Sequence, residues 1–364
     1  MEKNAFNLSE WFKKKLDKEK NTLQFLNDKI KILKEELKGN MGELKDDSHY
    51  IVPILNGLHG DLMAKKGHPA LINISFRNKA RNISLENLKD IYDFSNYGGK
   101  VIIIVHGLMN DESIWQSEPV DTVQRLGSAI EKESMANILY VRYNTGLHIS
   151  ENGRSLSNLI QEFIEIYQTE IKELNLICHS MGGLVSRSAC YYANAQSQNW
   201  TYLLKRVFLI GVPNEGSYLA RVAYMTQYFF RKMDPSENSS IAKFFDVRSN
   251  GIKDLSFGYL VDEDWQNKRD GNDKNIEPTK VFPLPDVDYF LIAATVAEEN
   301  QKSRIFTFFG DGLVEKQSAL SSLFNTNSMV TGKVEMKLFP NENHLTLLDS
   351  KDVFEFVKIG LGWI

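Results

Sequence analysis

The chain has 364 residues, 42% hydrophobic and 25% charged, a globular composition with material for a large core. A net charge of -4 gives no global pull toward nucleic acid, and two cysteines are too few for a disulfide framework. Reduced thiols suit a cytoplasmic protein, Met1 to Lys20 lacks the apolar core of a secretory signal, and no apolar run is long enough to span a bilayer.

Residues 1–39 read as an amphipathic helical extension, set apart from a main domain over 40–364. Leu23, Leu26, Ile30, Leu33 and Leu37 recur at steps of three and four, the spacing of one helix face, and Gly39-Asn40 supplies a stop. Lys13, Lys14, Lys15 and Lys18 invite peripheral contact with a membrane surface. The acidic residues interleaved among them favour a helix packed on its own domain or on a partner helix, such as that of a second copy in a homodimer.

Tyr50–Leu55 and Ala70–Phe76 read as two leading strands, and Leu85–Ile91 as a short helix. From residue 100 strands and helices alternate. Val101–Val105 is a β-branched run suited to burial on both faces, and Asn137–Val141 is another. Leu156–Leu174 is helical, Leu176–Cys178 is a strand, and Arg206–Gly211 is the next strand. Such alternation implies right-handed crossovers and a parallel sheet. Residues 215–280 break the pattern with aromatic-rich and polar stretches. An insertion there would lie over the carboxyl ends of the strands, where open α/β sheets bind ligands, and reads as a cap. Tyr289–Val296 and Val334–Leu338 complete the sheet, and Asp352–Leu361 is a closing helix.

The stretch 174–185, Leu-Asn-Leu-Ile-Cys-His-Ser-Met-Gly-Gly-Leu-Val, has the pattern of a nucleophile elbow. A buried strand enters, a helical pattern leaves, and Ser180 sits between small residues two positions to either side. Bulk at those positions would collide in so sharp a turn. The usual first glycine is replaced by Cys178, which is small but tolerates a positive φ less well.

A serine hydroxyl needs a base, and the base needs an acid to fix its tautomer. The elbow architecture orders them along the chain as Ser, Asp or Glu, His. Six of the seven histidines precede Ser180, so the base falls to His344, in a turn-rich loop after the last strand. Asp286 and Asp288 stand at the wrong end of their strand, and Asp262, Glu263 and Asp264 lie in the cap. Asp311, between two glycines, follows the strand and is the choice, with Glu315 in reserve. The Met181 amide supplies one oxyanion donor, and the loop His106-Gly107-Leu108-Met109 offers the Leu108 amide as the second. His106 reads as an anchor of that loop. Neither a His-Glu-x-x-His zinc pattern nor a Gly-x-x-x-x-Gly-Lys-Ser/Thr phosphate loop occurs, so no metal or cofactor is expected.

At these residues the sequence resembles the lipase and esterase branch of the α/β-hydrolases. It is similar in particular to bacterial proteins related to GPI inositol-deacylases and triacylglycerol lipases. The resemblance is carried by VIIIVHGL (101–108), YNTGLHISENGRSL (143–156), LICHSMGGLVSRSA (176–189), LIGVPNEGS (209–217), GIKDLSFGYLVDEDW (251–265), GDGLVEKQSAL (310–320) and NENHLTLL (341–348). It implies a mostly parallel eight-stranded sheet flanked by helices, a Ser180–Asp311–His344 triad, and hydrolysis of an acyl or lipid ester through an acyl-enzyme. An acyltransferase using the same triad, and a non-catalytic binding protein on the same scaffold, stand as the alternatives.

Overall fold

The computed structural model describes residues 48–78, 81–117, 124–133, 135–214, 249–266, 277–295 and 331–364. The expected helical extension, most of the expected cap, Asp311 and Glu315 lie outside the described residues.

The strands are β1 (Ser75–Asn78), β2 (Arg81–Ile83), β3 (Lys100–Val105), β4 (Asn137–Arg142), β5 (Glu173–His179), β6 (Leu204–Ile210), β7 (Asp288–Thr295) and β8 (Val334–Pro340). They form one eight-stranded sheet in the order β2-β1-β4-β3-β5-β6-β7-β8. β1 is antiparallel to both its neighbours, and every pairing from β4 to β8 is parallel. This is the α/β class that the alternation of elements predicts, with the eight-stranded, mostly parallel sheet of an α/β-hydrolase.

The sheet is buried on both faces because its central strands are mostly apolar. Val101, Ile103 and Val105 point to one face, and Ile102 and Ile104 to the other. The first face is covered by three helices: α1 (Ser48–Lys66), α3 (Ile149–Ile166) and α4 (Met181–Ala195). The second carries α2 (Leu126–Glu133) and α6 (Lys351–Leu361), through Leu126, Ile130, Val353, Phe356 and Val357. A further helix, α5 (Asn250–Phe257), contributes Ile252 and Leu255 to the first face.

Two expectations for the leading segment are corrected. Residues 50–55 are helical within α1, not a strand. Ile51, Ile54, Leu55 and Leu58 are all buried at helical spacing, and that stripe overrides both the β-branched local sequence and Pro53. Of the expected strand 70–76 only the last two residues enter β1. The side chain of Asn56, on α1, accepts from the Ile72 amide at 2.9 Å and donates to the Ala70 carbonyl at 2.9 Å, so this segment is tied to a helix rather than to a strand. The helix expected over 156–174 begins earlier, at Ile149, and ends at Ile166, and β5 takes up the last two residues of the expected span. Among the described residues no helix is long and apolar enough to cross a membrane.

Candidate active site

β5 lies between β3 and β6, in register Val105↔Cys178 and His179↔Ile210. The ladder runs to the edge of the turn, where the Ser180 amide donates to the Ile210 carbonyl at 2.9 Å. Ser180 itself has φ 53 and ψ -128, and α4 starts at the next residue. A non-glycine residue with these angles stores about 1–3 kcal/mol of strain and persists only where its surroundings hold it. Two glycines make that hold feasible. A Cβ on Gly182 would stand 2.4 Å from the His106 carbonyl oxygen, and one on Gly183 would stand 2.2 Å from Val212 Cγ2. The helix can therefore start tight against the ends of β3 and β6. The Ser180 hydroxyl is not spent on capping α4.

Cys178 needs no positive φ. It is an ordinary β5 residue, fully buried, with its thiol donating to Ser186 Oγ at 3.1 Å. Burial pushes its thiol up to about 12, which leaves it inert at neutral pH.

Ser180 and Met181 are followed, across the rim, by the loop after β3. A Cβ on Gly107 would stand 2.9 Å from Ser180 Cβ, so glycine is needed there for close approach. The unusual backbone falls two residues later, at Met109 with φ 57, whose amide donates to Thr145 Oγ1 at 3.1 Å. No described residue accepts from the Leu108 amide. The Met181 amide, at the first position of α4, has no partner within the helix. His106 anchors the loop: its Nδ1 donates to the Gly107 carbonyl at 2.9 Å, its Nε2 accepts from the Tyr143 amide at 3.4 Å, and its ring stacks on Tyr143. Burial keeps it below the usual histidine range and neutral.

The same loop continues into a charge network that spacing along the chain does not disclose. Arg142 on β4 donates to both carboxylate oxygens of Glu112 and to Asp111, each at 2.7 Å. Arg77 on β1 donates to Glu112 at 2.9 Å. Burial alone would raise the Glu112 carboxyl, but the two guanidiniums outweigh it and hold the group below the usual carboxylate range.

His344 is 2% exposed, in the loop between β8 and α6. Its main-chain oxygen accepts from His179 Nε2 at 3.0 Å, and the two imidazoles lie 4.6 Å apart. The fold thus brings His344 to the residue next to Ser180. No hydrogen bond joins the Ser180 hydroxyl to the His344 ring in the described residues, and such bonds are often loose before substrate binds. Asp311 lies outside the described residues. The competing acids have other duties. Asp264 accepts from the amides of Leu260, Val261 and Thr279, Asp262 pairs with Arg154, and Asp288 opens β7 at its far end.

Residues 249–266 are fastened beside this rim. The Ser249 hydroxyl donates to the Gly57 carbonyl at 2.6 Å, and Gly251 packs close to the Thr145 carbonyl and Met181 Cε. Asp254 accepts from His148 Nδ1 and the Ile149 amide, both at 2.9 Å, and Trp265 stacks on the His148 ring at 3.7 Å. Arg187, buried on α4, donates to Asn214 and to the Val281 carbonyl, two positions far apart along the chain. Among the described residues no cluster of His, Cys, Asp and Glu could hold a metal ion.

A family model described as a domain of unknown function, DUF7379, matches residues 74–238. No curated protein sequence matches the chain. Among solved structures, the mature form of the Bacillus licheniformis lipase BlEst2 is 19% identical at a TM-score of 0.43, covering 71% of this chain and 90% of that one. The Pyrococcus furiosus esterase PF2001 is 15% identical at 0.42, covering 74% and 83%. The type II thioesterase BorB of the borrelidin biosynthetic cluster is 11% identical at 0.41, covering 72% and 91%. These likenesses are distant, and the fold rests on the strand order and the elbow described above.

Proposed function

We propose that the protein is a serine carboxylic-ester hydrolase acting on an acyl or lipid ester. The observation that supports this most is the backbone of Ser180, held at φ 53 at the carboxyl end of a central strand with its hydroxyl unspent. A fold has little reason to keep such strain except to present that side chain. In this reading Ser180 Oγ attacks the acyl carbonyl while His344 takes its proton. The amides of Met181 and Leu108 hold the oxyanion, and His344 returns the proton to the departing alcohol. Water then attacks the acyl-enzyme, with His344 again as base, and releases the acid. Asp311 orients His344 throughout.

A fluorophosphonate probe tests the reading. The wild type should be labelled, and Ser180→Ala should not be. Labelling that persists in Ser180→Ala removes the serine from the mechanism. With p-nitrophenyl esters as substrates, Asp311→Asn should lower kcat by orders of magnitude, whereas Glu315→Gln should leave it within a few-fold.

A further inference from the structure

His179, the residue before the nucleophile, has a side chain that the serine chemistry does not by itself require. It is 1% exposed. Its Nε2 lies 3.0 Å from the His344 main-chain oxygen. A carbonyl can only accept, so Nε2 carries the proton and Nδ1 is a bare lone pair. Nδ1 has no hydrogen-bond partner in the described residues and faces Gly107, where a Cβ would stand 3.4 Å away. Trp115 lies on another side, with ring centroids 6.2 Å apart and planes at 85°. One ring therefore touches the nucleophile's strand, the oxyanion loop and the base loop together.

The base loop also makes short-range hydrogen bonds within itself. Asn343 Oδ1 accepts from the amides of Leu345 and Thr346, and the Asn343 amide donates to Thr346 Oγ1. These shape the turn without setting its distance from the sheet. The bond from His179 joins positions 165 residues apart and ties the turn to the sheet. Burial, with His344 and His106 nearby, keeps the His179 ring well below the usual histidine range. A neutral ring there does not oppose the positive charge that the base acquires during proton transfer.

We infer that His179 is a positioning residue of the active site. As the Nε2-protonated tautomer it fastens the main chain of His344 to the elbow, and so sets the separation of base and nucleophile. The inference rests on the ester-hydrolase reading and deepens it. Displacements of about 1 Å in such a pair cost on the order of 100-fold in rate.

The test compares His179→Phe, His179→Gln and His179→Asn for ester hydrolysis and for the rate of fluorophosphonate labelling, with circular dichroism to establish folding. Phenylalanine keeps the ring and removes the donor. The amide nitrogen of glutamine extends about as far as Nε2, whereas that of asparagine reaches only as far as Nδ1. His179→Phe should lower kcat by about 10- to 100-fold with KM within about two-fold of wild type. Glutamine should recover most of that loss and asparagine little of it. A His179→Phe variant with wild-type kcat overturns the inference, as does asparagine restoring activity as well as glutamine. If the phenylalanine variant does not fold, the glutamine–asparagine contrast decides alone. A wild type that labels at Ser180, with a His179→Phe variant that labels equally fast, sinks the positioning role and leaves the hydrolase reading standing. A wild type that never labels overturns both.

Discussion

Gly107 and Ser180 approach so closely that a Cβ on the glycine would stand 2.9 Å from the serine Cβ. The backbone that carries the Leu108 amide can lie beside Ser180 only because nothing projects from Gly107. Gly107→Ala should push the loop outward and withdraw that amide from the developing oxyanion. The expected loss is about 100-fold in kcat, comparable to deleting one oxyanion donor, with the fold retained. Steady-state kinetics on a p-nitrophenyl ester checks it, and a fully active Gly107→Ala protein would remove this loop from the oxyanion site.

Ser180 leads to a stability ordering opposite to the usual one. Alanine normally exceeds glycine because it loses less backbone entropy on folding. At φ 53, however, any side chain is strained. Ser180→Gly should therefore be more stable than Ser180→Ala by about 1 kcal/mol, and both should be inactive. Urea unfolding of the two variants measures the difference. An alanine variant that is the more stable would mean that the turn relaxes in solution.

The elbow and the central strands were legible in the sequence because their signals are local. The β-branched run Val101–Val105 suits a strand buried on two faces, and small residues around Ser180 permit a tight turn. The leading segment was not legible. Tyr50-Ile51-Val52-Pro53 has the local preferences of a strand and its boundary, and only burial of the Ile51, Ile54, Leu55 and Leu58 stripe makes it helical. Side-chain pairings between distant positions were invisible for a related reason. Arg77 and Arg142 meet at Glu112 because β1 pairs with β4, and the order of strands cannot be read from their individual patterns. His179 was equally hidden, since its role depends on where a loop 165 residues away comes to rest.

The two thiols provide a check on the choice of nucleophile. Burial pushes Cys178 up to about 12, and burial with the neighbouring Cys178 does the same for Cys190. Both should resist Ellman's reagent in the native protein and react fully once it is denatured. Ester hydrolysis should survive prolonged exposure to iodoacetamide. Rapid alkylation of Cys178 with loss of activity would show that the elbow opens far more than its packing indicates.

The Glu112 network should make the loop after β3 sensitive to acid. The side chains of Glu112 and Arg77 are 3% and 7% exposed, so the pairing takes place away from bulk water. Arg142 and Arg77 hold the Glu112 carboxyl below its usual value of 4.5 in the folded protein. A depressed folded pKa means that the unfolded chain takes up the proton first. The stabilisation is thus complete above about pH 4.5, the unfolded value, and drains away as pH falls toward and through the folded one. Glu112→Gln removes the charge and leaves two guanidiniums with a weaker acceptor. Removal of one partner from such a buried pair costs about 3–5 kcal/mol. In urea unfolding the deficit of Glu112→Gln relative to wild type should be constant from pH 7 to about pH 5 and shrink below that, because wild type then loses the same charge. Activity should fall with it, since the loop bearing Leu108 leads directly into Asp111 and Glu112. A deficit that stays constant down to pH 3 would show that the carboxylate charge contributes nothing and that the network acts through packing alone.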